Sequence, residues 1–270
     1  MEIFRKYKLL LPLIVCVLVT LVMGIFLLMP DGGEDKESET DTESDTSAPE
    51  TDPPVMDNPI FKTDLSAYEK YMDTPSGEYL VLVNKTHTID GDDIPKNLVA
   101  VKDARKDIEL VETAERALEA MFIEMRAAGF TDVFVTSAYR SYAYQNSLFN
   151  TYIIKEMAAD PSLTASEARE KVLRYSAYPG TSEHQTGLCV DLMTEGMREL
   201  DESFADYPVY QWLQENAWKF GFILRFPADK TDITGYDYEP WHYRFVGRYD
   251  AYMIHEGGLC LEEYVETYGN

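Results

Sequence analysis

Two short stretches of this 270-residue chain concentrate groups that hold metals and move protons. The first is Ser182-Glu183-His184-Gln185-Thr186-Gly187-Leu188-Cys189-Val190-Asp191, and the second is Glu239-Pro240-Trp241-His242-Tyr243-Arg244. His184 and Asp191 bracket a glycine and a short apolar run. A loop leading into a strand would bring both side chains to one centre, with Gly187 allowing a tight turn or a close backbone approach. Glu239 and His242 are three apart, and a bend encouraged by Pro240 would let both meet one cavity. Two imidazoles and one carboxylate suit a catalytic zinc, which keeps a fourth position open for water. Zinc acidifies that water and polarises a carbonyl. A carboxylate that is not a ligand can take the proton, and Glu239 is the candidate. The helical His-Glu-x-x-His pattern is absent. His87 and His255 sit in no comparable context and read as structural.

A third cluster, Ser137-Ala138-Tyr139-Arg140-Ser141, has Gln145 four residues beyond it. Arg140 can offer several fixed donors to a carboxylate, or to oxygen charge developing in a transition state. In a domain rich in Asp and Glu, a structural ion pair is an equal alternative.

The elements that must position these clusters can be read from periodicity and punctuation. Val111, Ala114, Leu118, Met121 and Met125 mark one face of a helix ending at Gly129. Strands are expected at 79–83, 132–137, 188–192, 222–226 and 241–246. Helical periodicity returns over 142–158, and Thr164 with Glu167 forms a capping box for a helix toward Arg174. A helix over 208–220 starts with Pro208 near N1 and stops at Gly221. Short helices are expected at 248–256 and 261–267. The mixture predicts an α+β fold, a small sheet flanked by helices, in one catalytic domain over residues 59–270.

The N-terminal residues read differently. Leu9 to Met29 is a run of 21 residues without a charge, about 30 Å of helix and enough to span a bilayer. Arg5, Lys6 and Lys8 precede it while Asp31, Glu34 and Asp35 follow. The positive-inside rule therefore puts residues 1–8 in the cytoplasm, makes 9–29 a transmembrane anchor and leaves the remainder outside. Phe26-Leu27-Leu28-Met29-Pro30 offers no small-x-small cleavage site, which argues against a removed signal peptide. Residues 30–58 form an acidic linker, with 11 Asp or Glu, one Lys and no aromatic residue, a composition that cannot bury enough apolar surface to fold. The formal net charge of −24 argues against nucleic acid as a partner. No obligate protein partner is evident. Expected localisation is the cell membrane, single-pass, with the catalytic domain extracytoplasmic.

Taken together in this order, the clusters resemble the VanY-type D-alanyl-D-alanine carboxypeptidases, zinc peptidases related to VanX-type dipeptidases and to LdcB-like L,D-carboxypeptidases. The likeness rests on Ser137 to Ser141 with Gln145, on Ser182 to Asp191, and on Glu239 to Arg244 followed by Val246-Gly247. It implies a small antiparallel sheet with helices around it. It also implies Zn²⁺ on His184, Asp191 and His242, with Glu239 as catalytic base and Arg140 as the holder of substrate and oxyanion. Ser182 and Gln145 match pocket positions for the terminal residue. The implied activity is removal of the C-terminal D-alanine from peptidoglycan stem peptides. Two alternatives stay open: L,D-carboxypeptidase action on tetrapeptide stems, and an inactive cell-wall-binding module. Cys189 and Cys260 are the only cysteines outside the apolar run; they are either a disulfide or two buried thiols.

Overall fold

Four strands carry the clusters into one sheet. In the computed structural model, which describes residues 55–269, β3 (Val133–Ser137), β4 (Cys189–Thr194), β5 (Phe222–Leu224) and β6 (His242–Phe245) are arranged in the order β3-β4-β6-β5. Every pairing is antiparallel. A separate hairpin pairs β1 (Leu98–Ala100) with β2 (Glu109–Val111). The described residues fall within one compact unit, so the α+β expectation with small antiparallel sheets holds. The anchor and nearly all of the acidic linker lie outside the described residues. Among the described residues, no helix is long and apolar enough to cross a membrane.

The pleat sorts chemistry by face. Val190, Leu192, Tyr243, Phe245 and Phe222 point into the main core. There they meet α2 (Glu112–Ala127), whose Ala114, Leu118, Met121 and Met125 are fully or almost fully buried. The alternate residues of β4 and β6, Cys189, Asp191, His242 and Arg244, share the opposite face, and all four are buried. In register, Asp191 lies directly across from His242 and also pairs with Ser137. Directly opposed residues of antiparallel strands project to the same side with Cβ atoms about 5 Å apart, and the sheet alone thereby joins the first sequence cluster to the second and the third.

The helices α3 (Tyr142–Ala159) and α4 (Ala165–Val172) pack together beside the sheet. Ser141 caps α3 by accepting from Tyr144 N, and Thr164 and Glu167 complete the expected capping box of α4. α5 (Pro208–Asn216) opens with proline, continues as a 3₁₀ turn to Phe220, and stops at Gly221, which has φ +83°. A Cβ at Gly221 would meet Phe245 at 2.7 Å and the Gly247 backbone at 3.0 Å, so the position needs both the left-handed backbone and the missing side chain. α7 (Arg248–Gly257) and α8 (Leu261–Tyr268) build a smaller apolar cluster with Ile223 and Val246. Two short helical elements, α1 (Glu69–Met72) and α6 (Thr231–Thr234), complete the set.

Two expectations need correction. Residues 79–83 are not a strand. Their carbonyl groups are used otherwise: Arg244 Nη2 donates to Tyr79 O and Val81 O, each at 2.8 Å. A buried guanidinium has replaced a neighbouring strand as the hydrogen-bond partner. The β1/β2 hairpin was not anticipated, since three-residue strands are too short to show an alternating pattern.

Candidate metal and catalytic site

His184 lies on a 3₁₀ turn, Glu183–Thr186, that ends at Gly187. Gly187 has φ +65°, and a Cβ there would approach Leu98 and Val111 side-chain carbons at 3.1 and 3.2 Å. The glycine thus does both things its place in the sequence suggested. The turn aims the His184 ring at Asp191: Nε2 is 3.2 Å from Oδ2, while Nδ1 is 2.6 Å from Ala138 O. A carbonyl only accepts, so Nδ1 carries the proton and Nε2 presents its lone pair.

Glu239 and His242 are joined by a turn in which His242 N donates to Glu239 O at 3.1 Å, with Pro240 at its first corner. The bend sets Glu239 Oε2 3.5 Å from His242 Nδ1, and the same Nδ1 lies 3.1 Å from Asp191 Oδ1. His242 Nε2 faces Glu183 Oε2 at 3.4 Å.

Zinc fits these donors. Two ligand atoms on a tetrahedral Zn²⁺ stand about 3.3 Å apart, close to the 3.1 and 3.2 Å separating Asp191 from the two imidazoles. Asp191 Oδ1 is buried and, among the described residues, has no hydrogen-bond partner in spite of the nearby imidazole. An unpaired buried carboxylate oxygen is costly unless a cation takes it. Cys189 also brings its sulfur within 4.8 Å of one nitrogen of each histidine. It does not line the cavity on which His184, Asp191 and His242 all open, so the oxygen donor, not the thiol, belongs to the substrate side. Cys189 and Cys260 are both free, buried thiols.

The cavity has a volume of about 640 Å³, enough for several peptide residues, and its lining includes Arg140, Ser182, Glu239 and Trp241. Arg140 N donates to His184 O at 3.0 Å, which ties the third cluster to the first. Among the described residues Arg140 has no carboxylate within 4.0 Å, and its buried Nε is unpartnered. The structural ion pair that composition made plausible is therefore not formed. Gln145 is placed differently from Ser182. It is buried and does not line the cavity; its Nε2 donates to the carbonyl of Ala177, which does.

The local field separates the acidic groups. Burial alone would raise the carboxyl of Asp191, but the two imidazoles override it and hold it well below the usual range. Burial pushes Glu239 up to about 7, against a smaller opposing pull from His242. Glu183 is also desolvated, yet the guanidinium groups of Arg225 and Arg244 keep its carboxyl far below an ordinary glutamate. Residue reasoning assigned no role to Glu183, Arg225 or Arg244. The available signal was the position of Glu183 beside His184 and of Arg244 two residues after His242, but the charge partners are too distant in sequence to be paired by spacing.

Comparison with known proteins identifies a family. The family described as VanY, D-alanyl-D-alanine carboxypeptidase, matches residues 107–248, more than half of the chain. The chain belongs to the VanY family. A D-alanyl-D-alanine carboxypeptidase of Enterococcus faecalis is 41% identical over 150 residues, which are 56% of this chain and 53% of that protein, so the chain spans about half the length of that relative. A vancomycin-resistance D,D-pentapeptidase VanY solved with Zn(II) is 36% identical, with a TM-score of 0.59, covering 69% of this chain and 98% of the solved one. The LdcB LD-carboxypeptidase structure is 37% identical, with a TM-score of 0.60, covering 68% of this chain and 84% of the solved one. This VanY-family chain is a zinc-dependent peptide hydrolase.

Proposed function

We propose that this VanY-family protein removes the C-terminal D-alanine from peptidoglycan stem peptides. In this reading His184, Asp191 and His242 hold the zinc, Glu239 is the catalytic base, and Arg140 engages the substrate. The observation that carries it is the pairing of a proton-ready Glu239, 3.5 Å from His242 Nδ1, with an unpaired arginine in the same cavity.

Zinc supplies a Lewis acid that polarises the scissile carbonyl and acidifies the attacking water. Glu239, with a carboxyl near 7, takes the proton from the water and returns it to the leaving D-alanine amine. Arg140 has donors free for the terminal carboxylate or for the oxygen on which charge develops. The Pro240 turn keeps Glu239 beside His242, so the proton acceptor does not have to be found anew in each cycle. Ser182 is at the cavity wall to contact the terminal residue, and Gln145 supports that wall through Ala177.

The apolar run at 9–29 tethers the enzyme to the membrane in this reading, with its charge asymmetry putting the domain outside. The acidic segment 30–58 spaces the domain toward the wall. A membrane-facing partner surface is not required, because the substrate itself is wall material.

Alanine release from pentapeptide and tetrapeptide stems, measured side by side, tests the reading. Turnover of the pentapeptide and little of the tetrapeptide is expected. The likeness to the LdcB enzyme gives the tetrapeptide its place in the assay, and preferential release from it would replace D,D- with L,D-specificity. No release from either stem would leave a binding module.

A further inference from the structure

His242 is gripped at the ring nitrogen that faces away from Asp191. Glu183 is 3% exposed and sends its two carboxylate oxygens in different directions. Oε1 accepts from Arg225 Nε at 2.7 Å and from Arg244 Nη1 at 2.6 Å, while Oε2 faces His242 Nε2 at 3.4 Å. Both arginines are fully buried and are themselves held in place. Arg225 makes a two-pronged contact with Glu262 of α8, at 2.7 and 2.8 Å. Arg244 donates to Phe245 O, Tyr79 O and Val81 O. The carboxylate of Glu183 therefore has almost no freedom to turn.

We propose that Glu183 is a positioning residue. It fixes the tautomer and plane of His242, so that Nε2 carries the proton and Nδ1 presents its lone pair beside Asp191, and Arg225 and Arg244 clamp it in that orientation. The inference rests on the reading of His242 as a zinc ligand. Chemistry leaves little choice at the two ring nitrogens. A carboxylate clamped by two guanidinium groups is an acceptor, so the nitrogen facing it must donate, and a neutral imidazole then has only Nδ1 for a metal. Outer carboxylates that orient a metal-bound histidine typically contribute 10- to 100-fold in metal affinity. His184 has a simpler device for the same end, the Ala138 carbonyl at 2.6 Å from its Nδ1. The two imidazoles are thereby set to offer opposite nitrogens, Nε2 from His184 and Nδ1 from His242, to one point beside Asp191.

The test is zinc affinity of the full chain, measured by competition with a chromogenic chelator and paired with the thermal midpoint of the metal-free protein. Glu183→Gln is compared with Glu262→Gln, which touches the same Arg225 but not His242. The expected result is a 10- to 100-fold loss of zinc affinity for Glu183→Gln, with Glu262→Gln binding zinc as the wild type does. A purely structural network would lower the thermal midpoint in both variants and leave zinc affinity alone, and that outcome overturns the inference. His242→Ala is the reference. If it loses zinc while Glu183→Gln does not, only the positioning role falls; if it too keeps zinc, the ligand reading falls first. Should Glu183→Gln not fold, nitrogen NMR of ¹⁵N-histidine-labelled, zinc-loaded wild-type protein decides. A protonated Nε2 and a metal-bound Nδ1 at His242 are expected, and metal on Nε2 overturns the inference.

Discussion

His242 stands between two glutamates of opposite character. Beside Nδ1, Glu239 is pushed up to about 7 because burial removes water and no cation pairs with it directly. Beside Nε2, Glu183 is buried more deeply still, its side chain 1% exposed against 15% for Glu239, yet Arg225 and Arg244 hold its carboxyl far below the normal range. Desolvation is the largest influence on both and pushes both upward, so burial cannot explain why the more deeply buried carboxyl is the lower one. Charge partners do. The difference teaches how one residue type serves two ends around one imidazole: a carboxyl that must exchange a proton is left without a counterion, and one that must stay put is given two.

The contrast can be broken at several points. The largest expected effect is Glu239→Gln, which removes the proton carrier: alanine release should fall roughly 10²- to 10⁴-fold, with zinc content by mass spectrometry unchanged. An equal loss of zinc would place Glu239 among the ligands and erase the distinction between the two glutamates. Arg244→Met attacks the clamped glutamate. Removing one partner of a buried ion pair costs about 3–5 kcal/mol, so a fall in Tm of about 10 °C is expected by calorimetry. A Tm within two degrees of the wild type would show that Glu183 does not depend on that arginine.

Smaller effects sharpen the same contrast. Glu239 must be ionised to accept a proton, so log kcat/KM should rise with slope near one up to about pH 7 and then level off. A limb lying near pH 4.5 would mean that the carboxyl is not desolvated during catalysis. The linked stability effect has the opposite sense. A carboxyl raised from 4.5 to about 7 on folding binds a proton in the folded chain that the unfolded chain has released. Stability of the metal-free protein therefore declines as pH rises from about 4.5 to 7, and the loss persists above 7. Glu239→Gln removes that penalty, and its chelator-treated form should melt a few degrees above the wild type at pH 8, a difference that vanishes below about pH 5.

Much of this fold was legible because its signals are local. The face Val111, Ala114, Leu118, Met121 and Met125 needs only the 3.6-residue period; its last four residues lie on α2 and pack into the core, while Val111 ends β2 and stands at the helix N-cap. The capping box of α4 and the stop at Gly221 are likewise matters of four or five adjacent residues. Residues 79–83 misled for the same reason. Their β-branched and aromatic composition speaks for a strand, but nothing nearby in sequence reveals that Arg244, more than 160 residues away, takes their carbonyl groups. The site was legible in its reactive groups and obscure in its supports. Arg140 could have been an ion pair, but among the described residues no carboxylate comes within 4.0 Å of it, and Gln145 could have faced the cavity until its amide was found on Ala177.

By itself the sequence determined which chemistry is available: imidazoles, carboxylates and a guanidinium at spacings that local turns can gather, with glycines where the backbone must bend. Tertiary structure decided which nitrogen each imidazole presents, which glutamate keeps a mobile proton and which arginine remains free. The physical reason is that turn and helix preferences act over a few residues, whereas proton affinity depends on distance and burial. His242 and Glu183, 59 positions apart in the chain, acquire their relation only when β6 is laid against β4 and the 3₁₀ turn folds back over both.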